Sequence, residues 1–554
     1  MRTSFIVCLA FLAIAAGLTA CGKSASVPPA AAADQPAPAA TAAPADTATP
    51  VDGDWLVERL SDEPAHLNPI TSSDFYARTV YSSIFESLIE RDNQTLELKP
   101  LLAERWEVSD DHLSYTFHLQ KDVTFSDGVP LTAKDVKFTF DKLMDPSVDA
   151  AQLRNYYQDV TKCEVTDDYT VRFTCSKPYF KHLTMLGGLE IIPEHIYSQG
   201  DFNSSEYNRK PLGSGPFKFE KWETGSQIVL ARNENYWKEK PHYLKYVFKI
   251  ITDNNAAFEL LARQEMDFYS NISPELSMNQ AQRPEFQNNF SMYKYYFPGY
   301  RYIGWNMRKP QFEDKLVRRA LTMLFDKKLV LDTIFYGKGK EVVSDFFIES
   351  PEYDKSIQPW PYDPVEAQRL LDEAGWKDTN GDGIRDKGGV EFEFEMLIRA
   401  GMPEFDAMAT FYQEALKRVG IKMNIRSLEW ATFLSRVDER NFDSVILAWT
   451  SPAIEGDPYQ VWHSSQIPKG SNYVAFNNPE ADKLMEEARL EFDEQKRIEM
   501  YHRFDAILHE EQPYTFLYCS QWTDALSKRF HGVIEYDFGV DLRKAWVPKE
   551  LQRY

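Results

Sequence analysis

The chain has 554 residues, of which 43% are hydrophobic, 14% aromatic and 26% charged, and 84 acidic against 62 basic side chains give a net charge of −22. At about 150 residues per domain, this length predicts about three domains. Because the chain is acidic and has no basic block, its composition argues against nucleic acid or an anionic membrane surface as a partner. The body also has no run of roughly 18 apolar residues, the length that a membrane-spanning helix needs.

The N-terminus has the pattern of an export signal. Arg2 supplies a positive charge, and residues 5–16 form an apolar segment that is too short for a transmembrane helix. Small residues precede Cys21, and the sequence LTACG at 18–22 resembles the bacterial lipobox. We predict that residues 1–20 are a signal peptide and that Cys21 becomes lipidated, with an ordinary signal peptide and an incidental cysteine as the alternative.

The segment after the predicted lipidation site has the composition of a tether. Residues 21–53 are dominated by Ala, Pro and Thr. Because these side chains offer little apolar surface to bury, folding cannot offset the entropy lost on ordering them. We predict an extended linker that holds the folded body away from the membrane, with the lipid as the only membrane attachment.

The body of the chain interleaves strand and helix patterns. Residues 113–119 alternate apolar and polar side chains, as a half-buried strand does. Thr132 and Asp135 have the spacing of a capping box at the start of a helix. Cys163 and Cys175 flank a turn signal in a hairpin pattern, an even number of residues apart, so that both side chains leave the same face. In an oxidising compartment this predicts a disulfide, with two separately buried thiols as the alternative.

Helix signals continue in the second half of the chain. The apolar residues between Val317 and Phe325 line one helical face. Asp363 opens a helix that Gly375 ends, and Asn478 opens another. This alternation of strands and helices predicts the α/β class with mixed sheets.

Catalytic motifs are absent from the sequence. There is no nucleophile elbow, zinc-protease helix, phosphate loop or dinucleotide-binding fingerprint, and the 10 histidines have no metal-ligand spacing. We therefore predict no enzymatic activity and no cofactor, because a hydrolase would need a nucleophile–base pair that the sequence does not offer.

One acidic loop resembles the beginning of a calcium-binding loop. Asp378, Asn380, Asp382 and Asp386 place oxygen atoms at the spacing of calcium ligands around a glycine. The bidentate glutamate that closes such a loop is replaced by Gly389. We favour a solvated turn and keep a calcium site as the alternative.

Several strings in the body of the chain, read in order, carry a family resemblance: VTFSDGVPLTAKDV (123–136), GSGPF (213–217), LARNENYW (230–237), FEDKLVRRAL (312–321), PYDP (361–364) and AGW (374–376). They resemble the family 5 extracellular solute-binding proteins of bacterial ABC importers, typified by oligopeptide- and dipeptide-binding proteins. The resemblance runs from about residue 55 to the C-terminus and covers nearly the whole folded body.

The resemblance implies a two-lobed type II (cluster C) periplasmic binding protein with an extra domain inserted in lobe one. Ligand would lie in the cleft between the lobes, and closure about a hinge would create the form that the importer recognises. The implied division is lobe one at 54–88, 206–290 and 526–554, the inserted domain at 89–205 and lobe two at 291–525, with crossings near 293–297 and 521–526.

The resemblance also implies the function and its partners. The chain would be a monomeric, extracytoplasmic receptor in the periplasm that binds a small solute, a short peptide first of all, and delivers it to ABC permease subunits. The same fold binding a nickel chelate, an opine or an oligosaccharide is one alternative. A periplasmic chaperone or signalling role without transport is another.

Family ligand contacts cluster on a loop that follows a strand ending in tryptophan. In peptide receptors of this family an aspartate three residues after that tryptophan pairs with the peptide's amino group, whereas here Pro452 occupies the matching position. Glu455 is the nearest acidic substitute, with solvated loop acids as the alternative. The candidate ligand-binding residues of this loop are Trp449, Thr450, Ser451, Glu455 and Asp457.

Two further segments are candidate cleft surfaces under the same resemblance. The strand at 300–306 would open lobe two and contribute Tyr302, Trp305 and Asn306, although strand alternation allows only one of its faces to meet ligand. The loop at 61–69 would contribute Glu63 and His66, and its backbone would bond an extended peptide as an added strand does.

Overall fold

The computed structural model describes residues 49–72, 74–450 and 454–554. The predicted signal peptide, the lipidation site Cys21, most of the predicted tether and the candidate residue Ser451 lie outside these residues. Among the described residues, no helix combines the length and apolar character needed to cross a membrane.

The first part of the chain starts lobe one and then forms a separate small sheet. Its elements are β1 (Trp55–Leu60), α1 (Phe75–Tyr81), β2 (Ile89–Arg91), β3 (Leu98–Pro100), β4 (Ala103–Val108), β5 (Ser114–Leu119), α2 (Ala133–Met144), α3 (Ala151–Arg154), β6 (Val160–Asp167), β7 (Thr170–Cys175), α4 (His182–Gly187) and α5 (Glu194–Tyr197). We call residues 89–205 the inserted domain; its sheet has the order β4-β5-β7-β6.

The chain then returns to the sheet that β1 began. The elements of this part are β8 (Phe217–Glu223), β9 (Gln227–Arg232), β10 (Lys245–Ile250), α6 (Asn254–Ala262), β11 (Phe268–Tyr269), α7 (Pro274–Asn279), α8 (Pro284–Asn289) and β12 (Phe290–Tyr296). We call the part built on β1 and β8–β11 lobe one. Strand β1 lies parallel to β10 and β11, whereas β8, β9 and β10 are antiparallel neighbours.

The part that we call lobe two extends from β13 to α16. Its elements are β13 (Gly299–Trp305), α9 (Lys315–Met323), α10 (Lys327–Thr333), β14 (Gly339–Glu341), α11 (Pro364–Glu373), β15 (Asp386–Lys387), β16 (Val390–Glu391), β17 (Glu393–Arg399), α12 (Pro403–Lys417), β18 (Lys422–Leu428), α13 (Trp430–Asp438), β19 (Ser444–Thr450), α14 (Tyr459–Trp462), α15 (Pro479–Leu490) and α16 (Glu494–Glu511). The chain ends with β20 (Tyr514–Ser527), β21 (Ile534–Tyr536) and β22 (Gly539–Asp541).

Strand β20 joins the two lobes into one 12-stranded mixed sheet of the described chain, whose main path is β18-β17-β19-β13-β20-β11-β1-β10-β9-β8. Its first half pairs with β13 in lobe two, and its second half pairs with β11 and β12. Strands β12 and β13 are therefore one side of an antiparallel ribbon, and β20 is the other. Both passages of the chain between the lobes run through this ribbon, where Phe297 N donates to Ser520 O at 3.0 Å.

The apolar cores show which parts pack together. One continuous core contains Leu56 of lobe one, Phe117 and Phe173 of the inserted domain and Leu526 of β20. Lobe two has cores of its own, one on each face of its sheet. Because the inserted domain shares an apolar core with lobe one, separating those two would expose large apolar surface.

The capping residues in the sequence correctly predicted where helices α2, α11 and α15 begin. Both bonds of the capping box between Thr132 and Asp135 are present at the start of α2. Asp363 caps α11, and Gly375 follows that helix with a φ of +85°, a conformation that glycine adopts without strain. Asn478 caps α15. These predictions are confirmed because caps depend on residues within one turn of each other.

The predicted disulfide between Cys163 and Cys175 is wrong, since both thiols are free and buried. The hairpin turns one position earlier than the spacing of the cysteines requires, so Cys163 pairs with Phe173, and a register shift places Cys175 opposite Val160. The two sulfur atoms therefore do not face each other across the ribbon. Burial raises the pKa of each thiol to about 12. Cys519 also lies in the core.

Candidate functional site

The loop after β19 meets the inserted domain across the interface between the lobes. Glu455 on this loop accepts a hydrogen bond from Arg91 Nη2 at 2.8 Å and another from Thr184 Oγ1 at 3.1 Å. Its backbone N–H donates to Glu352 Oε1 at 2.8 Å, which anchors the loop to lobe two. Glu455 thus ties lobe two to the inserted domain, and the carboxylate predicted to receive a ligand amine is already bound by a guanidinium.

Asp457 lies two residues further along the same loop and is more deeply buried. Its side chain is 2% exposed and forms an ion pair with Arg489, whose Nη2 lies 2.7 Å from Oδ2. Tyr179 of the inserted domain donates its hydroxyl to the same oxygen at 2.5 Å. Burial alone would raise the pKa of Asp457, but the Arg489 guanidinium, the charge of Lys181 and the Tyr179 hydroxyl together outweigh it and hold that pKa below its usual value.

A second polar contact joins the lobes near the first loop. Arg399, at the end of β17, lies with its Nη2 3.4 Å from Asp62 Oδ2 of lobe one. Its guanidinium also stacks over Trp430, 4.9 Å from the ring centroid. The loop at 61–69 therefore does approach lobe two, through Asp62, a residue that sequence reasoning did not single out.

Aromatic side chains gather where the chain passes between the lobes. Phe297 and Trp522, on opposite strands of the ribbon, stack with ring centroids 3.9 Å apart. Phe75 of lobe one meets both rings edge-on and is 49% exposed. An exposed apolar surface at this junction is suited to contact with an apolar group of a ligand.

Two further predicted residues, Trp449 and Thr450, are the last two residues of β19. Trp449 is half-buried and stacks with Tyr473 at 5.8 Å, and its Nε1 lies 3.4 Å from the hydroxyl of Tyr514. Thr450 is exposed.

Three residues predicted on the strand at 300–306 lie in the interior of lobe two instead. Trp305 is fully buried and donates its Nε1 to Thr515 Oγ1 at 3.1 Å. Asn306 is buried and donates from its side-chain amide to the backbone carbonyl of Phe442 at 2.7 Å. Tyr302 is 1% exposed, and its ring stacks on that of Tyr514 with the centroids 3.7 Å apart. The prediction that Tyr302, Trp305 and Asn306 contact ligand is wrong, because helices cover both faces of β13 and leave neither face open.

The two predicted residues of the first loop differ in their surroundings. Glu63 is turned into lobe one, where it accepts hydrogen bonds from Trp222 Nε1 at 2.7 Å and from Gly225 N at 3.0 Å. His66 is half-buried, and its Nδ1 has no hydrogen-bond partner in the described chain. Burial lowers the pKa of His66, against the opposing charge of Asp74. His66 therefore keeps a free ring nitrogen, whereas Glu63 is occupied.

The acidic loop at 378–386 is held together by its own hydrogen bonds. The carboxylate of Asp378 accepts from Gly381 N and Gly383 N, and Asp386 accepts from the hydroxyl and amide of Thr379. Asn380 donates to Asp382 at 2.9 Å. No cluster of metal-ligating side chains occurs among the described residues. These oxygen atoms therefore serve the turn, and the structure gives no support to the calcium alternative.

A separate surface cavity of about 280 Å3 lies on lobe two, with Lys327, Trp360 and Tyr362 among its lining residues. None of the predicted ligand-binding residues lines it. The cavity is also lined by prolines 359 and 361, and it is not part of the interface between the lobes.

Sequence reasoning missed the residues that engage the loop acids. Arg91 and Glu455 are 364 positions apart, and Tyr179 and Asp457 are 278 positions apart. No local pattern marks Arg91, Tyr179 or Arg489 as partners of that loop. The docking of the inserted domain against lobe two brings Arg91 and Tyr179 to the loop, whereas Arg489 reaches it from α15 within lobe two.

The sequence is similar to those of known proteins. The family model described as "Bacterial extracellular solute-binding proteins, family 5 Middle" matches residues 97–471. The oligopeptide-binding protein AppA of Bacillus subtilis (strain 168) is 34% identical over 478 residues, which cover 84% of this chain and 86% of AppA.

Solved structures of related proteins superpose on the described fold. AppA from Bacillus subtilis in complex with a nonapeptide matches with a TM-score of 0.83 and 32% identity, over 90% of this chain and 100% of that one. NikZ from Campylobacter jejuni in complex with Ni(L-His) matches with a TM-score of 0.79 and 26% identity, over 89% of this chain and 99% of that one. DppA from Helicobacter pylori in complex with the peptide STSA matches with a TM-score of 0.80 and 25% identity, over 90% of this chain and 99% of that one.

The three matched structures cover 89–90% of this chain. The fold is that of a type II periplasmic binding protein. The chain belongs to family 5 of the bacterial extracellular solute-binding proteins.

Proposed function

We propose that this protein is an extracytoplasmic receptor that binds a short peptide between its lobes and delivers it to an ABC importer. The observation that carries the proposal is the antiparallel ribbon of β12–β13 and β20, the passage between two lobes that otherwise have separate cores. Bending at such a ribbon can open and close a cleft while each lobe stays rigid. The peptide as ligand is supported by the relatives crystallised with a nonapeptide and with STSA.

The contacts between the lobes support a closing motion. The inserted domain meets lobe two through hydrogen bonds and ion pairs at Glu455 and Asp457, whereas it meets lobe one through a shared apolar core. When such a boundary opens, its polar groups can bond to water instead, whereas parting an apolar core leaves apolar surface exposed to water. We therefore place the moving boundary between lobe two and the rest, close to the predicted division at residues 291 and 525.

The residues that would meet ligand are those with free surface at this boundary. Phe75, Phe297 and Trp522 offer apolar contacts, and His66 offers an unpaired ring nitrogen. Trp449 and Thr450 border the loop of lobe two. We propose that Glu455 acts in closure rather than as the reader of a peptide amine, since Arg91 already neutralises it.

The test is ligand-dependent closure of the purified protein. Peptides of three to nine residues, metal–histidine chelates and oligosaccharides are added separately while the melting temperature and the radius of gyration are followed. A peptide that binds stabilises the folded protein by about 2.7 kcal/mol at 100-fold excess over Kd. This stabilisation raises the melting temperature, and closure reduces the radius of gyration. If no peptide does either in ligand-free protein, the proposal of a peptide receptor is wrong.

A metal chelate is the second candidate ligand. The relative crystallised with Ni(L-His) shares 26% of its residues with this chain and nearly its whole length. Among the described residues no metal-ligating cluster occurs, so such a ligand would be recognised through its own chelating group. Closure by Ni²⁺ with histidine, and by no peptide, would favour this candidate.

We further propose that the protein is exported and held by a lipid on Cys21. The support is the lipobox-like sequence LTACG and the Ala/Pro/Thr-rich stretch that follows it. The family name describes its members as extracellular solute-binding proteins, which agrees with export. A monomer on such a tether would reach permease subunits in the membrane without a protein anchor of its own.

A further inference from the structure

A buried lysine beside the loop acids has no hydrogen-bond or ion-pair partner among the residues that the structure describes. Lys181 of the inserted domain is 8% exposed. Its ammonium makes no hydrogen bond and no ion pair with any residue in the described parts of the chain. The ammonium nitrogen is not one of the described side-chain atoms that are both shielded from water and without a hydrogen-bond partner, so it keeps some contact with solvent. A lysine this deeply buried usually pairs its ammonium with a negative group, so one without such a partner is available to an incoming anion.

The position of Lys181 follows from its neighbours in the chain. Tyr179 donates its hydroxyl to Asp457, and Thr184 donates to Glu455. The segment from Tyr179 to Thr184 therefore runs along the loop of lobe two, with Lys181 between its two points of contact. This places Lys181 on the boundary that opens and closes between the inserted domain and lobe two.

The charges around Lys181 are already matched with one another. Burial lowers the pKa of Lys181, while Asp457 and Glu455 oppose that effect. Both carboxylates are engaged elsewhere, Asp457 by Arg489 and Glu455 by Arg91. The charges that act most strongly on Lys181 are two carboxylates and two guanidiniums, so with Lys181 included the cations of this set outnumber its carboxylates by one.

A further acid lies behind the loop but does not pair with Lys181. Glu352 accepts the backbone amides of Glu455 and Gly456 and so supports the loop from the side of lobe two. It is not one of the charges that act most strongly on the lysine, which are Asp457, Glu455, Arg489 and Arg91. The loop therefore presents to Lys181 only acids that are already paired.

We infer that Lys181 reads a carboxylate of the ligand and so makes the receptor selective for an anionic solute. The inference rests on the proposed function, because it requires that the ligand lie between the inserted domain and lobe two. A ligand carboxylate would complete the charge balance of the cluster and hold the inserted domain and lobe two together. In a peptide, the carboxylate is supplied either by the C-terminus or by an Asp or Glu side chain.

The experiment compares carboxylates with carboxamides of the same shape. Peptides of three to nine residues are prepared in three forms: free C-terminus with neutral side chains, C-terminal amide with a Glu side chain, and C-terminal amide with Gln in its place. Thermal-shift titration and calorimetry give the affinity of each form. The parent protein is expected to bind one carboxylate form about 30-fold more tightly than the fully amidated form. The reason is that the amidated form leaves the Lys181 ammonium without a negative partner in the closed protein. The form that is preferred identifies the source of the carboxylate.

Substitutions then assign the preference to a residue. Lys181→Met keeps the length of the side chain and removes its charge, and it is expected to reduce the preference to less than about threefold. Lys177→Met, at an exposed lysine on the same segment, is the matched control and should keep the preference. Lys181→Gln provides a second neutral variant if the methionine form does not fold. A lysine with a purely structural role would change the melting temperature of the free protein but not the ratio between carboxylate and carboxamide.

The outcomes separate this inference from the proposed function. Clear binding with equal affinity for all three forms overturns the role of Lys181 and leaves the peptide receptor intact. A preference that persists in Lys181→Met assigns the carboxylate to another residue and also overturns it. Absence of binding by every peptide overturns the proposed function and this inference together.

Discussion

The guanidinium of Arg91, in the inserted domain, lies 2.8 Å from a carboxylate oxygen of Glu455 in lobe two. Each side chain is partly shielded, with 26% and 29% of its surface exposed. The pair bridges the boundary that must part if the cleft opens. It can therefore stabilise a closed form without adding anything to the stability of either lobe alone.

We expect neutralisation of this pair to weaken closure for every ligand alike. Arg91→Met and Glu455→Gln should each reduce peptide affinity about fivefold, which corresponds to about 1 kcal/mol, the upper range for a partly exposed ion pair. The double variant should lose little more than either single variant, because the interaction is already absent. Calorimetry with a free and an N-acetylated peptide measures both effects.

The controls for this prediction are an unrelated arginine and the acetylated peptide. Arg105→Met, at an exposed residue of the inserted domain paired within its own strand, should leave affinity unchanged. A loss at Glu455→Gln that is confined to the peptide with a free amine would contradict a role in closure. It would show instead that Glu455 reads the amine.

We expect Asp457 to contribute more to stability than any exposed acid. Asp457→Asn leaves the Arg489 guanidinium without its partner in a buried site, so the free energy of unfolding should fall by about 3 kcal/mol at pH 7. Glu480→Gln, which removes an exposed ion pair with Arg503, should change little. Denaturant unfolding of the three proteins tests the difference.

We expect the titration of Asp457 to contribute to the pH dependence of the free energy of unfolding. Its pKa in the folded protein is lower than its usual value, so its contribution is fully present above about pH 4 and is lost as the pH falls through the folded-state pKa. The parent should therefore lose stability more steeply below pH 4 than Asp457→Asn does. Parallel curves for the two proteins would mean that the ion pair does not affect the protonation of Asp457.

We expect Cys163 and Cys175 to remain thiols in exported protein. Unfolding without a reductant should allow an alkylating reagent to modify both residues, as mass spectrometry of the peptides would show, and neither should react in the folded state because both are buried. Cys163→Ala should leave the thiol of Cys175 free, as it is in the parent. A mass loss of two hydrogens, with resistance to alkylation until reduction, would establish the disulfide instead.

We expect Cys21 to decide how the protein is attached. Cys21→Ser removes the thiol that would be alkylated by lipid, so the variant should leave the membrane fraction for the soluble fraction, while the folded body keeps its melting temperature. Cys519→Ser serves as a control for the loss of a thiol elsewhere, since that cysteine is buried in the body. A Cys21→Ser protein that stays with the membranes as the parent does would contradict the lipid anchor.

The sequence by itself was sufficient for features that depend on short stretches of chain. Helix starts at Asp363 and Asn478, the capping box at Thr132 and the class of mixed α/β sheet follow from hydrogen bonds and periodicities within a few residues. The family could also be predicted from the sequence, because its strings occur in order along the whole body.

Tertiary structure alone decided which side chains are available for binding. Trp305 looked like a cleft residue because strand alternation leaves one face free, but helices cover both faces of β13. The hairpin register, shifted by the position of its turn, separated Cys163 from Cys175. Glu455 pairs with Arg91, and Asp457 accepts a hydrogen bond from Tyr179, although hundreds of residues separate the members of each pair along the chain. The same docking leaves Lys181 buried with no partner in the described part of the chain. The physical reason is that burial and charge pairing depend on distance in space, which local patterns along the chain do not contain.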